Sequence, residues 1–408
     1  MIYLLSQLLL KIIIKKNLII ANDIYIFALQ KKLKTIYMKR AYKYKLKPTM
    51  KQQQLLLQYF GCARFIYNWG LNLKIKTYEK DKSALSYMDL AKQLTLLKKQ
   101  NEYKWLNDVS INVLQQSLRC LDTAYKNFFR TKKGFPKFKS KHNSKDCCKF
   151  INHVHFDFEN WQVKIPKVGW VKICKNKEFD LSQCKLGTLT VSKDRCGTYW
   201  ATILVDDGKP TPPKTKVEKK TSVGVDLGIK DFAILSNGTK FPNPKYYEKS
   251  QRKLRRLQQR LSKKAKGSKN RDRAKLRLAT CSRRITNCRT DYLQKLSTYL
   301  VQTYNTICIE DLNVEGMLKN HSLAKSISSA SWSEFRRMLA YKCEWYGNNL
   351  LTIGRFEPSS KTCNNCGYVY KELTLAERAW KCPVCGEVLD RDINAAKNIR
   401  NMTLRKVI

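Results

Sequence analysis

Cys363 and Cys366 form one Cys-x-x-Cys pair and Cys382 and Cys385 form another, with fifteen residues between them. Four thiolates at this spacing suit two knuckles that grip one tetrahedral Zn²⁺. Gly367 and Gly386 follow the second sulfur of each pair, where the backbone must turn tightly. A closed four-sulfur site has no open coordination position, so such a zinc would be structural. Carboxylates make a second set. The apolar runs VGVD and TICIE each end in an acid, Asp226 and Glu310, and VLDRDINAAKN places Asp392 at a helix start with Asp390 two residues earlier in an extended segment. An acid inside an apolar strand is costly unless it is paired, hydrogen-bonded or bound to a metal. Hard divalent cations such as Mg²⁺ want oxygen ligands, and three converging acids can hold them for metal-assisted attack of water on a phosphodiester. Asp311 follows Glu310 directly, and strand alternation turns it to the opposite face. No Ser/His/Asp arrangement and no phosphate-binding glycine loop competes with these acids.

The chain that carries them has 408 residues and a net charge of +48, from 80 Lys and Arg against 32 Asp and Glu. Charge this far beyond the needs of solubility implies a polyanionic partner, nucleic acid before membrane because it is spread along the whole chain. The charge alone supports binding, not catalysis. The eleven cysteines outside the two knuckles are scattered singly or as the pair Cys147 and Cys148. That pattern suits reduced thiols, hence a cytoplasmic protein, associated with the nucleoid if bacterial. Lys11, Lys15 and Lys16 interrupt the Ile- and Leu-rich start of the chain before any apolar run reaches the roughly 18 residues of a spanning helix. No basic segment precedes the first apolar run, so neither a membrane anchor nor a signal peptide is expected. Met38 opens MKRAYKYKLKPT like a fresh start, which marks residues 1–38 as an atypical extension.

The elements that must position these groups follow in order. YKYKLKP alternates and stops at Pro48, as a short strand does. From Thr49, Leu55, Leu56, Tyr59, Phe60, Ala63, Ile66 and Tyr67 recur at helical spacing, and further helical blocks run over 87–97 and from Ser110. Arg64 and Asn68 lie four apart on one face of the first helix, within reach of a backbone phosphate. The loop at 130–145 interleaves Lys137 and Lys139 with Phe135 and Phe138, a mixture suited to phosphate contact with base stacking. Residues 150–205 change to short alternating segments, as in a small antiparallel barrel. Within them His153 and His155 put two imidazoles on one side of a strand, but no acid or tyrosine helix completes a strand-nicking site. Residues 208–220 are a Pro- and Lys-rich linker. After the strand carrying Asp226, residues 249–304 read as a basic helical hairpin with sixteen Lys or Arg against one acid, Asp272, between Gln251 and Thr290. Such an uncompensated run repels itself without an anionic partner. Arg255, Arg256, Lys263, Lys264 and Lys266 are its candidate nucleic-acid contacts. SWSEFRRMLAYKCEWYGNNLLTIG then reads as a helix and a strand that deliver the chain to the cysteine knuckles.

Taken in order, YKLKPT with FGCARFIYNWGL, GFPKFKSK, GVDLGIKDFA, IEDLNVEGM, and PSSKTCNNCG through CPVCG to LDRDINAAKNI resemble the TnpB proteins of bacterial insertion sequences, relatives of type V CRISPR effectors and of Fanzor nucleases. The resemblance covers about residues 39–402. It implies an α/β fold with added β and α modules. A RuvC-like nuclease domain of the RNase H class (221–357 and 390–408) would carry an inserted four-Cys zinc ribbon (358–389). A helical recognition domain (49–130) would sit within a small β-barrel wedge (39–48 and 131–207). It also implies Asp226, Glu310 and Asp392 as Mg²⁺-binding catalytic acids, Asp392 being preferred to Asp390 because it directly precedes the Ile-Asn-Ala-Ala run. The implied activity is cleavage of double-stranded DNA directed by a guide RNA, with the protein a monomer bound to that RNA and reading only a short flanking motif. Members often carry His where this chain has Ser282 and Gln294. Two other readings stand beside it: a noncatalytic nucleic-acid-binding accessory of transposition, and a transposase or recombinase proper.

Overall fold

The structure, a computed structural model, describes residues 37–131, 134–151, 154–175, 184–355, 357–374 and 377–407. Residues 1–36 of the expected extension and His153 lie outside them. The first strand, β1 (Tyr37–Lys47), is longer than its alternation foretold and ends where Pro48 cannot continue the ladder. Thr49 then caps α1 (Met50–Asp81): its hydroxyl accepts from the Gln52 amide while the Gln52 side chain accepts from the Thr49 amide, a reciprocal capping box. Helices α2 (Tyr87–Leu97) and α3 (Ile111–Thr131) follow. Gly70 lets α1 and α3 approach closely, since a Cβ there would lie 2.8 Å from Leu118 Cδ2. Leu56, Ile66, Leu114, Leu118 and Leu121 fill the seam.

Six strands come next: β2 (Asp146–Phe150), β3 (His155–Asp157), β4 (Gln162–Ile165), β5 (Gly169–Ile173), β6 (Lys185–Lys193) and β7 (Tyr199–Pro210). With β1 they form a seven-stranded sheet in the order β2-β6-β7-β1-β5-β4-β3, every pairing antiparallel. The first strand of the sequence is therefore central in this sheet. β7 runs on to Pro210, opposite Tyr37, so the start of the expected linker is paired strand.

The second half is built on β8 (Ser222–Asp226), β9 (Asp231–Leu235) and β10 (Lys240–Pro242), then the hairpin α4 (Tyr246–Ser262) and α5 (Lys269–Thr303). After β11 (Thr306–Glu310) come α6 (Val314–Met317), α7 (Ala324–Ala330), α8 (Trp332–Tyr346) and β12 (Asn349–Ile353). A two-stranded ribbon of β13 (Ala379–Lys381) and β14 (Val388–Asp390) precedes the last helix, α9 (Arg391–Leu404). The sheet order is β10-β9-β8-β11-β12, with β8, β11 and β12 parallel and the other pairings antiparallel. Strands covered on both faces read as near-continuous apolar runs, which is why VGV and ICI carry no polar alternation. Val223, Val225, Ile307 and Ile309 face α5 and α8, packing with Leu293, Leu296, Leu300, Phe335 and Leu339. Cys308 faces the other way, onto Ile399 and Leu404 of α9. The two halves touch where the Arg40 guanidinium lies over the Trp345 ring and where Arg283 bonds Asp194 and Thr198.

Candidate active site and metal centre

Asp226 is the last residue of β8 and Glu310 the last of β11, and because Val225 pairs with Ile309 the two acids stand side by side at the carboxyl edge of the sheet. Alternation sends both toward the face that α9 covers. Gly224 decides how closely that helix can lie. A Cβ there would fall 1.9 Å from the Ala396 carbonyl oxygen and 2.9 Å from the Arg400 backbone, so only glycine admits α9 against β8. The contact draws the first turn of α9, and with it Asp392, toward Asp226. Burial first, and then the charges of Glu310 and Asp392, push the Asp226 carboxyl up to about 8. The three acids thus share one electrostatic neighbourhood.

Asp390 and Asp392 divide their work. Asp390 is the N-cap of α9: Oδ1 accepts from the Asp392 and Ile393 amides at 3.0 and 3.1 Å, and Oδ2 pairs with Lys240 Nζ at 2.7 Å. Burial works against its charge, but Lys240 and the helix amides outweigh this and hold Asp390 below the usual carboxylate range. Among the described residues the Asp392 carboxylate makes only long contacts, 3.4 and 3.5 Å, with Arg378 and stays half-buried. Glu310 Oε1 accepts from Ser359 Oγ at 2.8 Å.

The four knuckle sulfurs lie within 4.8 Å of one another, a set that could hold one metal ion. Contacts run across the knuckles, Cys363 to Cys385 at 3.7 Å and Cys366 to Cys382 at 3.5 Å. Gly367 and Gly386 take φ of 80° and 73°, and each donates its amide 2.9 Å to the carbonyl of the first cysteine of its pair. Among the described residues this is the one set of metal-ligand side chains gathered so tightly, and the three carboxylates stand farther apart.

Sequence reasoning missed the groups that tie ribbon to acids. Asn394 Nδ2 donates to the Thr362 carbonyl at 2.7 Å, its Oδ1 accepts from the Asn364 amide at 2.9 Å, and Asn398 Nδ2 donates to the Ser359 carbonyl at 2.7 Å. The available signal was two asparagines four apart on the inner face of an amphipathic helix, where a buried amide must find partners.

The nucleic-acid candidates separate into two groups. Arg64 pairs through one nitrogen with Asp146 at 3.2 Å, and Asn68 holds both backbone polar groups of Lys139 at 2.8 Å. They fasten the basic loop to α1. Lys139 is half-buried with its ammonium 3.7 Å above the Tyr67 ring, and burial lowers its pKa. Lys137, Arg255, Arg256, Lys263, Lys264 and Lys266 are exposed. His155 is also exposed, at the start of β3 opposite Lys164, and no metal-binding set among the described residues includes it. No helix among the described residues is long and apolar enough to cross a membrane.

Residues 202–321 match the insertion-sequence OrfB family described as "Probable transposase", residues 332–399 a "Cas12f1-like, TNB domain", and residues 38–83 a "Helix-turn-helix domain". A "Putative RNA-guided DNA endonuclease" of Streptomyces pristinaespiralis is 40% identical over 361 residues, 88% of each chain. "Putative RNA-guided DNA endonuclease InsQ" of Escherichia coli K12 is 34% identical over 375 residues, 88% of this chain and 91% of that one. A Cas12f1 chain, solved by cryo-electron microscopy in complex with sgRNA and target DNA, superposes with a TM-score of 0.55 at 13% identity, covering 90% of this chain and 99% of that one. That likeness concerns the fold alone. With two relatives above 30% identity over most of its length, the chain belongs to the TnpB family, the OrfB proteins of insertion sequences.

Proposed function

We propose that this protein is a cytoplasmic, Mg²⁺-dependent DNA endonuclease guided by RNA, cutting double-stranded DNA at a centre formed by Asp226, Glu310 and Asp392. The observation that carries the reading is their placement: two carboxylates end adjacent parallel strands and a third opens the helix packed across them. All three offer hard oxygen donors, and the Asp226 carboxyl, raised first by burial and then by the charges of Glu310 and Asp392, stands where a divalent cation would offset that charge, so the residues fit Mg²⁺. Bound there, the metal would activate water and neutralise the leaving oxygen of a phosphodiester. The chain's own groups do the positioning. Ser359 fixes the Glu310 carboxylate, Asp390 fixes the first turn of α9, and Arg378 tethers Asp392 loosely from the ribbon side.

The ribbon cysteines would hold a structural Zn²⁺, and the α1–α3 unit set on the seven-stranded sheet would receive the guide RNA and the paired target strand. The names of the Streptomyces and Escherichia relatives support the guided reading. The test is to express the protein with its native flanking DNA, isolate it with any bound RNA, and assay Mg²⁺-dependent cutting of a matched target. Asp226→Asn, Glu310→Gln or Asp392→Asn should each slow cutting about 10³-fold, the several kcal/mol that metal charge stabilisation supplies. Asp390→Asn keeps the cap, since asparagine caps a helix as well as aspartate, loses only the exposed Lys240 pair, and should leave both stability and cutting largely intact. RNA that copurifies with a protein unable to cut any matched target would put the noncatalytic accessory reading in its place.

A further inference from the structure

Asp311 is not accounted for by the proposed centre. It follows Glu310 but turns to the other side of the sheet edge, where Arg336 of α8 reaches Oδ1 at 2.5 Å and Arg355, just beyond β12, reaches Oδ2 at 3.1 Å. Arg355 Nε also donates to the Asp311 carbonyl at 3.3 Å. One carboxylate thus gathers two guanidiniums and leaves a net positive charge one residue from a proposed metal ligand. The three side chains are 36–46% exposed. Ion pairs so open to water add little to stability, so fastening α8 to β12 is a weak reason for the arrangement. Each guanidinium has five donors in a fixed fork, and the contacts to Asp311 use only one or two of them.

We propose that Arg336 and Arg355, held in place by Asp311, form a phosphate clamp for the DNA strand laid across the acid-bearing edge. The inference rests on the nuclease reading above. The acids face the α9 side and the arginines the α8 side of the same edge, so a strand crossing it meets both in succession. The clamp therefore takes a phosphate neighbouring the one presented to Asp226 and Glu310. Asp311 is a positioning residue: it fixes the two forks so that their remaining donors are ordered before DNA arrives, which reduces the cost of binding.

The experiment uses the protein with its copurified RNA and a matched target DNA, with Ca²⁺ replacing Mg²⁺ to hold the strand uncut. Arginines are modified with phenylglyoxal and read residue by residue by mass spectrometry. Several-fold protection of Arg336 and Arg355 by target DNA, but not by inorganic phosphate at the same ionic strength, is the expected result. Arg336→Gln and Arg355→Gln should each reduce the salt slope of target binding by about 1. Lys at either position should restore the slope but not the full affinity. Asp311→Asn should raise KM with little change in kcat. A purely structural ion pair would instead lower Tm and leave slope and protection unchanged, which overturns the clamp. Protection in a protein that never cuts in Mg²⁺ would count against the nuclease reading alone, whereas cutting with both arginines as reactive as in free protein would sink the clamp alone.

Discussion

At the residue scale the site depends on a position with no side chain. Gly224 sets the distance between β8 and α9, and any Cβ there meets backbone rather than a flexible side chain that could move aside. Gly224→Ala should therefore destabilise the protein by about 1–3 kcal/mol, as overpacking does. It should also depress cutting beyond what instability explains, because Asp392 rides on the displaced helix. Thermal unfolding beside cutting rates well below Tm tests this, and a lowered Tm with parental rates would sever the link. Asp226 and Glu310 stood out because a carboxylate in an apolar strand is too costly to be incidental, whereas Asp392 was preferred to Asp390 by resemblance alone. Gly224 was not, since a glycine in a strand has several explanations that only the opposing helix separates. The ion pair of Arg64 was not legible for a related reason: helical spacing shows which way a side chain points, while its partner Asp146 lies 82 residues away.

Among elements, the seam between α5 and α8 holds a lysine the helical pattern did not announce. Lys342 is 5% exposed, and its ammonium donates to the Gln294 carbonyl, Ser297 Oγ and Thr298 Oγ1 at 2.7–2.8 Å with no carboxylate among them. Burial lowers its pKa to about 8 from an ordinary value of 10.5. Between those values the unfolded chain binds the proton and the folded one does not, so stability should rise with pH across that window. Below about 8 both states are charged and the burial penalty is fully present. Lys342→Met should flatten the rise, and denaturant unfolding across the window with parent and variant side by side checks it. An equal rise in both would show that other groups control it. The hairpin itself was expected over 249–304, and α4 and α5 run through that stretch. Gln294 bonds Tyr341 beside this lysine, a pairing visible only once α8 is in place.

For the whole molecule, charge and topology differ in how far they could be read. The net charge of +48 announced a polyanionic partner, and the structure leaves Lys263, Lys264 and Lys266 exposed in the turn between α4 and α5. Replacing all three with Gln should reduce the salt slope of nucleic-acid binding by about 3 and leave Tm unchanged, as measured by titration at several salt concentrations. An unchanged slope would remove this turn from the binding surface. Topology was harder to read. Nothing local tells β1 to sit between β7 and β5, because that pairing joins residues on either side of three helices. The nuclease half shows the opposite tendency. Between Asp226 and Glu310 the chain departs into the hairpin, between Glu310 and Asp392 it departs into the ribbon, and each time it returns to the same sheet edge. The two excursions are hung on a frame that already holds the acids. Their lengths and surfaces can therefore change without moving the acids, so a different nucleic-acid surface can be grafted on while the proposed centre stays in place.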